Sequence, residues 1–260
     1  MLQDHLISLL VIICLGALFF YKVSYLKNKR ILRLNLHQIL YLFVLPSIVA
    51  VLIHSYVLSL IKTDLSPSTF LSDGLLVNLV FLTMLYIFAG KAIHVVTKAL
   101  NDAGLNDQST EVGKLNHFLH LTFSHNFIFA TSLLLATSLS LLEINHVTDY
   151  SYNGWVSPVL RGLGLGLAFL GSMYNYTRPN YKEKYLGMGW SDLKVVFAIS
   201  WLAFIIIISA SQSVDFSFKN YQFLLPTLLV LSLTNGLNII LFIRSIRHKR
   251  KRKSLLEELE

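Results

Sequence analysis

One cysteine, Cys14, stands in 260 residues, so no intrachain disulfide can form, and no CxxC or Cys/His zinc spacing exists. Inside an apolar run, Cys14 reads as a small apolar filler. Charge is scarce as well: 14% of residues are Asp, Glu, Lys or Arg, against about 25% in water-soluble domains. That leaves too little polar surface to cover the chain in water. The segments between apolar runs are short, and none reaches the roughly 50 residues of an independent soluble domain. No internal repeat marks an inverted-repeat transporter. No GxSG, paired aspartates or HExxH is present, so the chain is expected not to be an enzyme.

What is there is apolar sequence in blocks. Hydrophobic residues make up 54% of the chain, and mean hydropathy is +0.60. Seven blocks approach the 17–25 residues needed to span a bilayer: Leu6–Val23, Ile39–Ile61, Leu75–Gly90, Phe123–Leu142, Trp155–Tyr176, Leu193–Ala210 and Phe223–Ile243. The third is expected to run on as helix through KAIHVVTKAL. Backbone groups cannot stay unpaired in hydrocarbon, and the blocks lack the alternation of barrel strands, so helices are expected. The fold class is therefore all-α, a polytopic transmembrane bundle over residues 1–243 with a tail at 244–260 that is basic, then acidic.

Positive charge sets the orientation. Nineteen of the 22 Lys and Arg fall on one side of a seven-span arrangement, and only Lys62, Arg161 and Lys219 on the other. By the positive-inside rule the N-terminus is outside and the C-terminus cytoplasmic, as in a bacterial-type or other plasma membrane. The first block has no preceding positive charge and no small-residue cleavage site, so it is expected to be retained. The tail RSIRHKRKRK follows a span directly, which makes anionic lipid headgroups its expected partner and nucleic acid an unexpected one.

Candidate functional residues are polar groups at membrane depth and histidines at one rim. No Asp or Glu lies within any block, which argues against the buried carboxylates of proton pumps and many cation-coupled transporters. His54, Asn78, Asn235 and Asn238 are expected to face the bundle interior, bonded to neighbouring helices or lining a small polar cavity, because unpaired polar groups are costly in hydrocarbon. Arg161 either snorkels to the outer interface or contacts an anion or headgroup. On the cytoplasmic side, His37, His94, His117 and His120 come from three helices and are the candidate ligands for a transition metal or haem, since imidazole suits zinc, copper and iron. His125 lies eight residues from His117, about 12 Å along an α-helix, and is left out of that set. The plainer reading makes these histidines interfacial. Small residues at four-residue spacing, Gly162/Gly166, Gly164/Ala168 and Ser132/Ala136/Ser140, are expected to be helix-packing seams, within the chain or in a homo-oligomer.

Rhodopsins and G-protein-coupled receptors match in helix count only. The last block has no lysine for retinal, and FAGKAIHVV at the third block carries no acidic-arginine pair. The expectation is a membrane protein whose bundle binds or passes a small molecule or lipid. The alternatives are a haem- or metal-binding redox protein, and a sensor or assembly subunit that works with a protein partner.

Overall fold

The computed structural model describes residues 2–20, 26, 28–31, 34–62 and 71–146, then 160–161, 163–164, 198–206, 208–210, 223–224, 228–229 and 232–233. Helix α1 covers Leu2–Phe20. A two-residue antiparallel pair follows, β1 (Arg30–Ile31) with β2 (Leu34–Asn35), an element that the apolar pattern does not signal. Asn35 then starts the short α2 (Leu36–Ile39): its side chain accepts from the Gln38 N–H at 2.8 Å, and Gln38 accepts from the Asn35 N–H at 2.9 Å. This reciprocal box satisfies two helix-end donors.

The second apolar block is not a regular helix throughout. Leu40–Val44 form a π-turn before α3 (Leu45–Ile61). Proline has no N–H, so Pro46 cannot complete the α-type bond to the residue-42 carbonyl. The ladder shifts register there, and the Leu45 N–H reaches back five residues to the Leu40 carbonyl.

Helix α4 runs unbroken from Asp73 to Asp102, as the sequence predicts for its continuation beyond the third block. Ser72 caps its start, accepting the Leu75 N–H at 3.3 Å. Its end is a Schellman arrangement: Gly104 N–H bonds to Asn101 O and Leu105 N–H to Leu100 O, both at 3.0 Å, with Gly104 at φ 86°. Asp107 organises the rest of the turn. Its carboxylate accepts the Ser109 N–H at 2.9 Å, which holds the carboxyl below its ordinary value. Thr110 then caps α5 (Glu111–His117), accepting the Gly113 N–H. Buried Asn116 closes the hairpin, donating to Asn101 Oδ1 at 2.6 Å and to Leu105 O at 3.1 Å.

From α5 the helix continues through a second π-turn, Phe118–Phe123, into α6 (Ser124–Asn145). Asp73–Asp102 and Glu111–Asn145, 30 and 35 residues, are the two helical runs among the described residues long and apolar enough to cross a membrane. Shorter apolar helices occupy His5–Ala17, Leu45–Ile61 and Ala198–Ala210. The fifth and seventh predicted spans, and the start of the sixth, lie mostly outside the described residues. The described chain is thus mostly helical, and its two long helices support membrane association. Phe81, Leu82, Leu85 and Val96 on α4 point outward, which suits a lipid-facing surface better than a water-facing one.

The core joins Ile7, Leu10 and Val11 of α1 to Leu52, Ile53, Tyr56, Val57 and Leu60 of α3, Leu76 and Val80 of α4, and Leu139 and Leu142 of α6, with Phe204, Ile208, Phe223 and Leu224. It lies toward the end of the bundle where α4 begins and α6 ends. Further along, α4 and α6 approach closely at Gly90, where a β-carbon would meet Ile128 Cγ1 at 2.8 Å. Gly164, from a predicted small-residue seam, backs onto α1, where a β-carbon would meet Val11 Cγ1 at 2.7 Å. Gly162, Gly166 and Ala168 lie outside the described residues. In the other predicted seam, Ser140 is buried and its hydroxyl bonds to Ala136 O at 2.7 Å, within its own helix.

Candidate functional site

The second π-turn builds the histidine site. In an α-helix the Ser124 N–H would bond to the His120 carbonyl; here it reaches Leu119 O instead. The Ser124 hydroxyl takes the vacated His120 carbonyl at 2.6 Å, so no acceptor is stranded. Residues five apart on an α-helix are about 140° apart around the axis. The extra residue in the π-turn closes that angle, and His120 and His125 both come against His94 of α4.

The three rings are neighbours. His94 stacks on His120 with centroids 4.5 Å apart, His94 and His125 are 4.7 Å apart, and His120 and His125 5.9 Å. His125 Nε2 and His94 Nδ1 are 3.1 Å apart, a hydrogen bond in which one nitrogen carries the proton. The Thr97 hydroxyl has one hydrogen, which it gives to the Ile93 or His94 carbonyl at 2.8 and 3.0 Å. Its contact of 3.0 Å with His120 Nδ1 then suits donation by the imidazole, an arrangement that favours the Nδ1–H tautomer of His120 with Nε2 as acceptor. Lys91, one turn before His94, is within electrostatic reach of His94 and His125 and of Cys14 on α1.

The predicted metal set is only partly brought together. His94 and His120 meet, but His117 turns to Gln108, 3.1 Å away, and His37 packs on Tyr41 with centroids 4.5 Å apart. His125, excluded by α-helical spacing, takes the place expected for them. Among the described residues no group of three or more His, Cys, Asp or Glu is arranged to hold a metal ion. The imidazoles stack and bond to one another and to hydroxyls.

The opposite end of α6 carries a group that the block boundaries concealed. Glu143, one residue past the predicted fourth span, is 1% exposed. The Tyr56 hydroxyl donates to its Oε1, and the N–H groups of Phe223 and Leu224 donate to Oε2 at 2.7 and 3.1 Å. Beside it, Asn145 Nδ2 donates to Asp73 Oδ1 at 2.8 Å, and His146 Nε2 lies 2.7 Å from Asp73 Oδ2. These contacts pin the end of α6 to the start of α4. The sequence argument from missing carboxylates fails here, because a carboxylate is buried at the helix end.

Of the other predicted ligand-binding residues, the structure describes His54, Asn78 and Arg161. His54 and Asn78 are exposed, contrary to the expectation that they face the interior. Asn78 sits two residues from both Leu76 and Val80, which places it on the opposite face of α4 from that buried pair. His54 is likewise off the face defined by Leu52, Tyr56 and Leu60. Arg161 is buried rather than extended to solvent. Asn235 and Asn238 lie outside the described residues. Comparison with protein-family models, curated proteins and solved structures finds no match.

Proposed function

We propose that the chain is an integral membrane protein of seven spans, N-terminus outside and basic tail in the cytoplasm, whose bundle binds or passes a small molecule or lipid. The observation that supports this is the placement of ionisable side chains at both ends of one membrane-length hairpin. Lys91, His94, His120 and His125 gather at one end, and Glu143 is buried at the other. Ionisable groups enclosed in spanning helices are costly, and they commonly mark substrate or ion paths. The charge asymmetry of the loops supports the orientation.

Native mass spectrometry of the full chain, released from its membrane in a neutral detergent, tests the reading. A reproducible small-molecule or lipid adduct is expected. A bare chain under conditions that preserve membrane-protein adducts overturns it. An absorbance spectrum of the same sample with a Soret band replaces it with the haem reading.

A further inference from the structure

His94 of α4 holds His120 of the second π-turn at a centroid distance of 4.5 Å and His125 of α6 at 4.7 Å. His94 Nδ1 and His125 Nε2 share one hydrogen across 3.1 Å. That contact needs one of the two nitrogens to keep its lone pair. With both rings protonated, two N–H groups face each other and two cations touch. The rings are half-buried rather than sealed, so water reaches them.

The titratable and charged groups around the rings, among the described residues, are Lys91, Lys98 and Asp102 of α4, His117 of α5 and, beside Lys91, Cys14 of α1. The one carboxylate in that group, Asp102, pairs with Lys98 at 3.6 Å. Positive charge added to the rings therefore meets more positive charge, and like charges in one site oppose ionisation.

The π-turn offers a second arrangement. Its Ser124 N–H bonds to Leu119 O while the Ser124 hydroxyl occupies His120 O at 2.6 Å. Return of that N–H to His120 O restores α-helical register, in which residues 120 and 125 stand about 140° apart. Both cannot then touch His94. Single π-turns within α-helices recur at functional sites.

We propose that the imidazole cluster is an acid-sensitive latch: neutral, it holds the π-turn against α4, and protonation releases it. The inference goes beyond the ligand-binding reading and does not rest on it. A freed imidazole takes a proton near about pH 6.5, whereas the closed cluster resists one. The closed form is therefore fully favoured above that pH and loses ground as the pH falls below it.

Amide hydrogen exchange of the full chain in neutral detergent, corrected for the intrinsic pH dependence of exchange, tests the latch. The range runs from about one unit above the ordinary imidazole value to about one unit below. Protection over residues 119–125 is expected to fall about tenfold for each ring that opening frees, while residues 133–139 of α6 keep theirs. His94→Phe retains a ring face but takes no proton, and it leaves His120 and His125 with centroids 5.9 Å apart. Its protection should depend on pH much less. His120→Phe carries the same expectation and serves if His94→Phe does not fold. Unchanged protection in wild type, an equal fall along all of α6, or an undiminished fall in a folded ring variant overturns the latch.

Discussion

Tyr56 of α3 donates its hydroxyl to the carboxylate of Glu143 at the end of α6, across 87 residues of sequence. The other carboxylate oxygen receives the N–H groups of Phe223 and Leu224, so one side chain joins three parts of the chain. Glu143→Leu leaves all three donors buried without an acceptor, at about 1–3 kcal/mol each before relaxation. Glu143→Gln can turn its carbonyl to the two N–H groups and its amide to the Tyr56 oxygen. Thermal unfolding should therefore rank Glu143→Leu well below Glu143→Gln, with Tyr56→Phe losing about 1 kcal/mol. Equal melting temperatures for Glu143→Leu and wild type would remove Glu143 as a fold-holding group.

At Gly90, α4 and α6 pack closely. A β-carbon there meets Ile128 Cγ1 at 2.8 Å and Phe127 Cδ1 at 3.2 Å, with the Ile128 Cδ1 end at 3.7 Å. Gly90→Ala should already destabilise, because β-branched Ile128 must turn about χ1 to clear the new methyl, and Gly90→Leu should destabilise further, by about 1–3 kcal/mol through overpacking. Pairing Gly90→Leu with Ile128→Ala should restore part of the loss. Melting temperatures of the three variants check this, and a fully tolerated Gly90→Leu would place α4 and α6 further apart.

A single hydroxyl biases the tautomer of His120. Thr97→Val removes the acceptor for its Nδ1–H while keeping the shape of the side chain. Nitrogen-15 shifts of labelled histidine should show His120 protonated at Nδ1 in wild type, moving toward the Nε2 form in Thr97→Val. An Nε2–H tautomer in wild type would contradict the assignment.

Two glycines in the α4–α5 turn are required for different reasons. Gly104 has φ 86°, a conformation that costs roughly 1–2 kcal/mol for a residue with a β-carbon, with open space around it. Gly113 has an ordinary φ, but a β-carbon there would lie 1.8 Å from the Asp107 carbonyl oxygen. Gly104→Ala should lower stability by about that strain, with the turn intact. Gly113→Ala should displace the loop, and hydrogen exchange at Ser109 and Thr110 should accelerate in that variant alone.

The sequence revealed the apolar helices and hid the local departures from them. Block composition predicts α4 through Leu100, and the helix runs two residues further, to Asp102. The π-turns were not legible, since each depends on one hydrogen bond's changing register. Pro46 was a usable signal for the first, and Ser124, four residues after the carbonyl it rescues, was a weak one for the second. His125 was therefore misplaced by α-helical spacing. His37 and His117 share an end of the bundle with His94, yet each has its own neighbour. Glu143 fell one residue beyond a boundary drawn by hydropathy, which cannot sense that 223–224 folds over it.

The central claim is that the α4–α6 hairpin crosses a membrane, with the imidazole cluster and Glu143 toward opposite faces. Cysteine labelling tests it most directly, because replacing Cys14 with serine clears the background. Ser72→Cys caps the start of α4, and Asn106→Cys sits in the turn after its end; both positions are exposed. In intact cells a membrane-impermeant maleimide should label Ser72→Cys and spare Asn106→Cys until the membrane is permeabilised. Labelling of both from the same side would contradict the account.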